Sequence, residues 1–324
     1  MKALIAVLCA AAGLLSIAAV FSAVVYRRVC PKIAETLLRR IPPEKREFNP
    51  DEKVPRPNTE EFYRRDEWYL SAAARERVEI SAADGTVLRG NIIRAETGGR
   101  RWAIVMHGYR IDAREMSEFI YRFHVAGWNV LAPDQRAHGA SDGEYTAFGA
   151  LEKYDLLGWI SFIIKGDPSA QIVLFGGSMG AATVLLATGE PLPANVKAAV
   201  ADSSFVSAKR LLRRVLKIKK TPVFPILPLT FGYVRKKTGI DLNEADVAAA
   251  VSRSATPTLF LHGDKDAVVP FGMLDELYAA AACEKRKVVC RGAMHTQAYT
   301  VNCDMYWKEV LGFAETHTAR ADEN

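Results

Sequence analysis

The chain has 324 residues, 49% hydrophobic and 25% charged, enough to bury one large core and carry an appendage. Its formal charge of +6 is mildly basic, with the excess gathered at Arg27, Arg28, Lys32, Arg39 and Arg40 and again between Lys209 and Lys220. No basic patch is interleaved with aromatics, which argues against nucleic acid as a partner and for cationic segments near a membrane. The five cysteines show no C-x-x-C or Cys/His spacing that would hold zinc, and read as core or free thiols.

Residues 3–25 are apolar except for Ser16 and Ser22, a run long enough to cross a bilayer as a helix. A cleaved signal peptide is the rival reading. Cutting after Ala23 would put Phe21 where a small residue is expected, so an uncleaved anchor over residues 1–26 is favoured. The cations after it predict a single-pass cell-membrane protein with the rest of the chain on the cytoplasmic side, export being the alternative. Residues 27–75 read as a basic, Pro-rich linker (Pro42, Pro43, Pro50, Pro55, Pro57) followed by a helix over 60–74.

From residue 76 the pattern alternates. Strands are expected at 77–81 and 87–93, flanking the hairpin signal Asp84-Gly85, and then at 102–106, 129–132, 171–175, 198–201, 258–261 and 287–290. Helices are expected at 113–125 and 148–164, after residue 178, at 272–282 and at 304–314. This predicts an α/β domain over 76–316, with a mostly parallel sheet covered by helices on both faces. A polar tail follows over 317–324. The interval 203–254 has no strand; it carries a basic helix over 208–219 and then Pro222, Pro225 and Pro228, and reads as a helical lid over the strand ends.

The apolar run 171–175 stops at Gly176-Gly177-Ser178-Met179-Gly180, a G-x-S-x-G between strand and helix. That context exposes the serine hydroxyl at a tight turn and sets the Met179 amide at a helix N-terminus, where it can stabilise an anion. A serine nucleophile needs a base, usually histidine, and a carboxylate to orient it. Six histidines are available. His317 is in the tail, His124 is mid-helix, and His107, His138 and His262 sit at strand ends. Only His295 lies on a late loop with candidate acids between it and Ser178. Asp264 and Asp266 are the nearer acids; Asp202 and Asp134 are more distant ones.

On these residues the chain resembles the α/β-hydrolase superfamily over about 76–313, closest to its Bem46-like and prolyl-oligopeptidase-like branches with an N-terminal hydrophobic segment. The resemblance is carried by His107-Gly108-Tyr109, by the stretch 134–143, by the G-x-S-x-G, by His262-Gly263-Asp264-Lys265-Asp266 with Val269-Pro270, and by Gly292-Ala293-Met294-His295. It implies Ser178 as nucleophile, Asp266 as acid and His295 as base, with the Tyr109 and Met179 amides as the oxyanion hole and His107 and His138 as structural residues. It also implies acyl transfer through an acyl-enzyme with no cofactor or metal, on a small-molecule or lipid-like acyl substrate. A carboxylesterase or lipase-like activity is expected. A peptidase or thioesterase on the same residues, or a non-catalytic binding module on this scaffold, are the alternatives.

Overall fold

The computed structural model describes residues 1–41, 59–71, 75–96 and 98–318. The Pro-rich part of the expected linker and most of the expected polar tail lie outside the described residues.

Eight strands form one sheet: β1 (Arg75–Ser81), β2 (Val87–Ile93), β3 (Arg101–Met106), β4 (Asn129–Pro133), β5 (Gln171–Gly177), β6 (Val196–Asp202), β7 (Thr258–Gly263) and β8 (Lys285–Cys290). Their spatial order is β1-β2-β4-β3-β5-β6-β7-β8. β1 and β2 pair antiparallel, as do β2 and β4, and all other neighbours are parallel. The β1–β2 turn closes where Gly85 takes a positive φ of 83° and the Thr86 amide donates to the Asp84 carboxylate at 3.1 Å.

Alternation along the central strands sorts the core into two layers. On β5, Ile172 and Leu174 face the helix Glu152–Gly166, joining Leu156, Trp159 and Ile160; Val173 and Phe175 face the other way, toward Phe119, Phe123 and the helix Cys303–Thr316 with Tyr306 and Trp307. Burial on both faces explains why these strands read as continuous apolar runs. The chain leaves β3 toward β4 on one side and returns to β5 on the other. The carboxyl ends of β3 and β5 therefore flank a topological switch point, the crevice where ligands bind in such sheets.

A third apolar cluster caps the strand ends. It is built from the lid helices Ala208–Ile218, Ile226–Thr238 and Val247–Val251 and, unforeseen by the linker reading, from the N-terminal segment. The first helix, Lys2–Val24, passes through a π-turn at Val25–Val29 into a second helix, Cys30–Leu38. Cys30, Ala34 and Leu38 of that second helix are buried against the domain. Among the described residues this N-terminal stretch holds the one helix long and apolar enough to cross a membrane, over Leu14–Leu38. Leu14, Leu15, Val20, Phe21 and Val24 are exposed.

Candidate active site

Ser178 joins β5 to the helix Met179–Thr188 with φ 54° and ψ −116°. Such a backbone is costly for a non-glycine residue, about 1–3 kcal/mol, and persists only where the surroundings enforce it. Here the enforcement is close packing. A Cβ on Gly176 would lie 2.3 Å from the Gly180 carbonyl oxygen, and one on Gly180 would lie 2.2 Å from that of Met106. Both contacts are with backbone, so neither glycine can take a side chain without moving a strand or the helix.

His295, on the loop after β8, meets Ser178 there. Its Nε2 is 2.8 Å from Ser178 Oγ, and its Nδ1 is 2.7 Å from Asp266 Oδ2. Asp266 is buried on the loop after β7 and also accepts from the amides of Val268 and Val269, at 2.9 and 2.7 Å. Burial alone would raise its pKa, but hydrogen bonds from His262 and His295 outweigh that and hold the carboxyl at about 2. The group is ionised at neutral pH and can only accept, so His295 Nδ1 carries the proton. Nε2 then has a free lone pair toward the Ser178 hydroxyl.

The other candidate acids are engaged elsewhere. Asp264 Oδ1 accepts from the Gly292 amide at 2.7 Å. Asp134 accepts from the amides of Ala113 and Ala140, at 2.9 and 2.8 Å. Asp202 is fully buried between the Ser203 and Tyr306 hydroxyls, at 2.8 and 2.9 Å, and its pKa is raised by burial. Ser203 Oγ also accepts from the Thr296 amide at 3.3 Å, so this buried group braces the residue after His295.

Sequence reasoning did not connect His262 to the site. It is fully buried at the end of β7, with Nε2 3.1 Å from Asp266 Oδ2 and 2.9 Å from the Val269 carbonyl. Burial disfavours charge on this ring, but the Asp266 carboxylate, with Val269 and Asp202, outweighs it and raises its pKa. The i, i+4 spacing across the tight loop after the strand was the available signal.

Tyr109 follows β3 on the opposite lip of the crevice. A Cβ on the adjacent Gly108 would sit 3.6 Å from Ser178 Cβ, which fixes how close the two loops run. His107 and His138 build this loop. His107 Nδ1 donates to the Gly108 carbonyl at 2.7 Å while Nε2 accepts from the Gln135 amide at 2.8 Å; His138 Nδ1 donates to the Arg136 carbonyl at 2.8 Å while Nε2 accepts from the Arg110 amide at 3.1 Å. Gln135 donates to the His107 carbonyl at 2.6 Å and accepts from Thr183 at 2.9 Å, tying the loop to the helix after Ser178. Neither the Tyr109 nor the Met179 amide makes a loop or turn hydrogen bond among the described residues. Met179, Phe148, Phe205 and Val206 are buried in one apolar cluster, against which Tyr109 packs with its ring stacked on Phe148 at 5.2 Å. Among the described residues no group of three or more His, Cys, Asp or Glu could hold a metal ion.

A strand-nested serine turn at the switch point of a doubly covered, mostly parallel sheet, with a histidine and a buried carboxylate on the last two loops, is the arrangement of an α/β-hydrolase fold. A family model, Hydrolase_4, described as serine aminopeptidase S33, matches residues 99–242. An uncharacterized protein of Mycobacterium tuberculosis (strain H37Rv) is 31% identical over 221 residues, 67% of this chain and 71% of its own. A monoacylglycerol lipase of Mycolicibacterium smegmatis is 24% identical over 235 residues, 62% of this chain and 82% of its own. The structure of a Pyrococcus furiosus esterase superposes with a TM-score of 0.62 at 24% identity, covering 76% of this chain and 93% of that one. The chain belongs to the α/β-hydrolase superfamily.

Proposed function

We propose that the protein is a membrane-anchored serine hydrolase that cleaves ester-type acyl bonds, with Ser178 as nucleophile, His295 as general base and Asp266 as the orienting carboxylate. One observation carries this reading: the unbroken line from Ser178 Oγ through His295 to the buried, ionised Asp266. As Ser178 Oγ attacks the acyl carbonyl, its proton moves to His295 Nε2. The imidazolium that forms is stabilised across the 2.7 Å bond to Asp266. The Tyr109 and Met179 amides receive the oxyanion, and each such donor is typically worth about 2.7–4 kcal/mol of barrier. His295 then protonates the leaving group, and water activated by the same nitrogen releases the acyl group. The sequence of steps calls for no cofactor or metal.

The likeness to the mycobacterial monoacylglycerol lipase favours an ester over a peptide, with a lipid-like or small acyl group as substrate. The apolar composition of the helix Lys2–Val24, with Leu14, Leu15, Val20 and Phe21 exposed, supports the anchor, since 23 residues span ~35 Å at 1.5 Å each against a bilayer core of about 30 Å. The basic residues after it support a catalytic domain on the cytoplasmic side. A fluorophosphonate probe tests the chemistry. One equivalent is expected to label the folded chain and none the Ser178→Ala variant. Equal labelling of both would remove Ser178 from the nucleophile role.

A further inference from the structure

Between Ser203 and Ile240 the sequence has ten Lys and Arg residues and no Asp or Glu. Folding neutralises part of this charge. Arg210 pairs with Glu276 at 2.7 Å, Lys237 with Glu35 at 3.0 Å and Arg235 with Asp241 at 3.5 Å, while Arg214 donates to the Ala267 carbonyl at 2.7 Å. Lys209, Arg213, Lys217, Lys219, Lys220 and Lys236 are exposed and make no ion pair among the described residues. Three of these lysines surround the end of the helix Ala208–Ile218, where Ile218 is 62% exposed and Phe224, six residues on, is 82% exposed. Water is a poor partner for an aromatic ring held out in this way. Apolar side chains ringed by unpaired lysines match the surface of a bilayer with anionic headgroups.

The fold sets this surface at the right depth. The lid helix Ile226–Thr238 packs on the N-terminal segment immediately after its apolar part, with Tyr26 against Tyr233, Cys30 beside Thr230 and Glu35 on Lys237. Cys30 is six residues beyond Val24, ~9 Å along a helix axis. A bilayer crossed by the helix Lys2–Val24 would place its headgroups at the level of this lid helix, where Arg27, Arg28 and Lys32 also face solvent.

We infer that residues 217–225 of the lid are a second membrane contact, with Lys217, Lys219 and Lys220 on anionic lipid headgroups and Phe224 in the apolar layer beneath them. The inference rests on the anchor reading above and is independent of the chemistry at Ser178. An acidic protein or a second copy of the chain would satisfy the charge alone. Only lipid satisfies both the charge and the fixed distance from an apolar helix.

The test uses the full chain in lipid nanodiscs of phosphatidylcholine, with or without phosphatidylglycerol. An environment-sensitive fluorophore is placed on Phe224→Cys and, as a reference, on Ser169→Cys at the opposite end of β5. Lipid spin-labelled in the acyl chain is expected to quench the Phe224 site severalfold more than the Ser169 site in anionic discs. Combining Lys217→Gln, Lys219→Gln and Lys220→Gln should bring the two sites toward equality. In the unlabelled chain, amide exchange over residues 217–225 should slow in anionic discs and not in zwitterionic ones. Protein retained by anionic discs with neither protection nor quenching at Phe224 overturns the contact while leaving the anchor intact. Protein that is not retained overturns both. Fluorophosphonate labelling of the same samples reports the hydrolase reading separately.

Discussion

The phenolic hydroxyl of Tyr109 donates a 2.7 Å hydrogen bond to the carbonyl of Leu37, joining the loop that supplies the proposed oxyanion amide to the helix Cys30–Leu38 that follows the apolar N-terminal helix. The Arg110 guanidinium holds the neighbouring Thr36 carbonyl. Beyond the helix, Arg40 reaches the Ser141 and Gly139 carbonyls, each at 2.8 Å, and its amide donates to the Glu144 carbonyl at 2.8 Å. Residues 36–40 thus strap together the loops after β3 and β4. Tyr109→Phe removes one of these bonds, with an expected cost of about 1 kcal/mol and faster amide exchange over residues 34–40. Unchanged exchange there would show that the bond does not hold the strap.

A chain cut after the strap should behave differently from one cut before the π-turn. Removing residues 1–24 takes away only the apolar helix. Removing residues 1–58 also strips Cys30, Ala34 and Leu38 from the cap over the strand ends, and Leu38, 2% exposed, is alone worth about 1.5–3 kcal/mol of burial. The shorter chain is expected to melt several degrees lower and to react more slowly with fluorophosphonate. Equal melting of the two would mean the docked helix is not part of the folded domain.

The two aspartates of the loop after β7 have different jobs. Asp266→Asn keeps the shape but takes the negative charge from His295, and turnover is expected to fall by about 10⁴, as when a triad carboxylate is neutralised. Asp264→Asn disturbs only a cap on the Gly292 amide, and should cost no more than a few-fold. Steady-state kinetics on both variants decides, and the reverse ranking would move the acid to Asp264.

Asp266 also links folding to pH. Its carboxyl sits at about 2 in the fold, below its ordinary value near 3.8, because hydrogen bonds from His262 and His295 outweigh its burial. A depressed acid stabilises the fold fully above its unfolded pKa and loses that contribution as pH falls through the folded one. The shift corresponds to about 2 kcal/mol. The stability gap between the natural chain and Asp266→Asn should therefore narrow between roughly pH 4 and pH 2, and denaturant titrations across that window measure it. A gap independent of pH there would contradict the linkage.

Much of this was legible in the sequence, because the signals are local. The apolar runs of β3 to β7 gave the sheet, and the glycines at 176 and 180 mark the tight turn that backbone clashes demand. The positions of Ser178, Asp266 and His295 in chain order suggested one cluster, and the fold brings those three side chains into contact. The helix Cys30–Leu38 fell inside the stretch read as linker because the cations around it and the prolines after it resemble solvated chain. Its reason for folding lies with Tyr109, Ser141, Tyr145 and Lys237, all more than 70 residues away. His262 was passed over for a similar reason: its role depends on the loop after β7 folding back so that Asp266 lies against it.

Hydrolysis of a p-nitrophenyl ester series from acetyl to palmitoyl, by the full chain and by Ser178→Ala, tests the serine-hydrolase reading most directly. Turnover by the natural chain that falls by several orders of magnitude in the variant is the expected result, with the chain-length optimum reporting the size of acyl group the site takes. Comparable turnover in a folded Ser178→Ala chain, or none in a natural chain that also ignores fluorophosphonate, would contradict it.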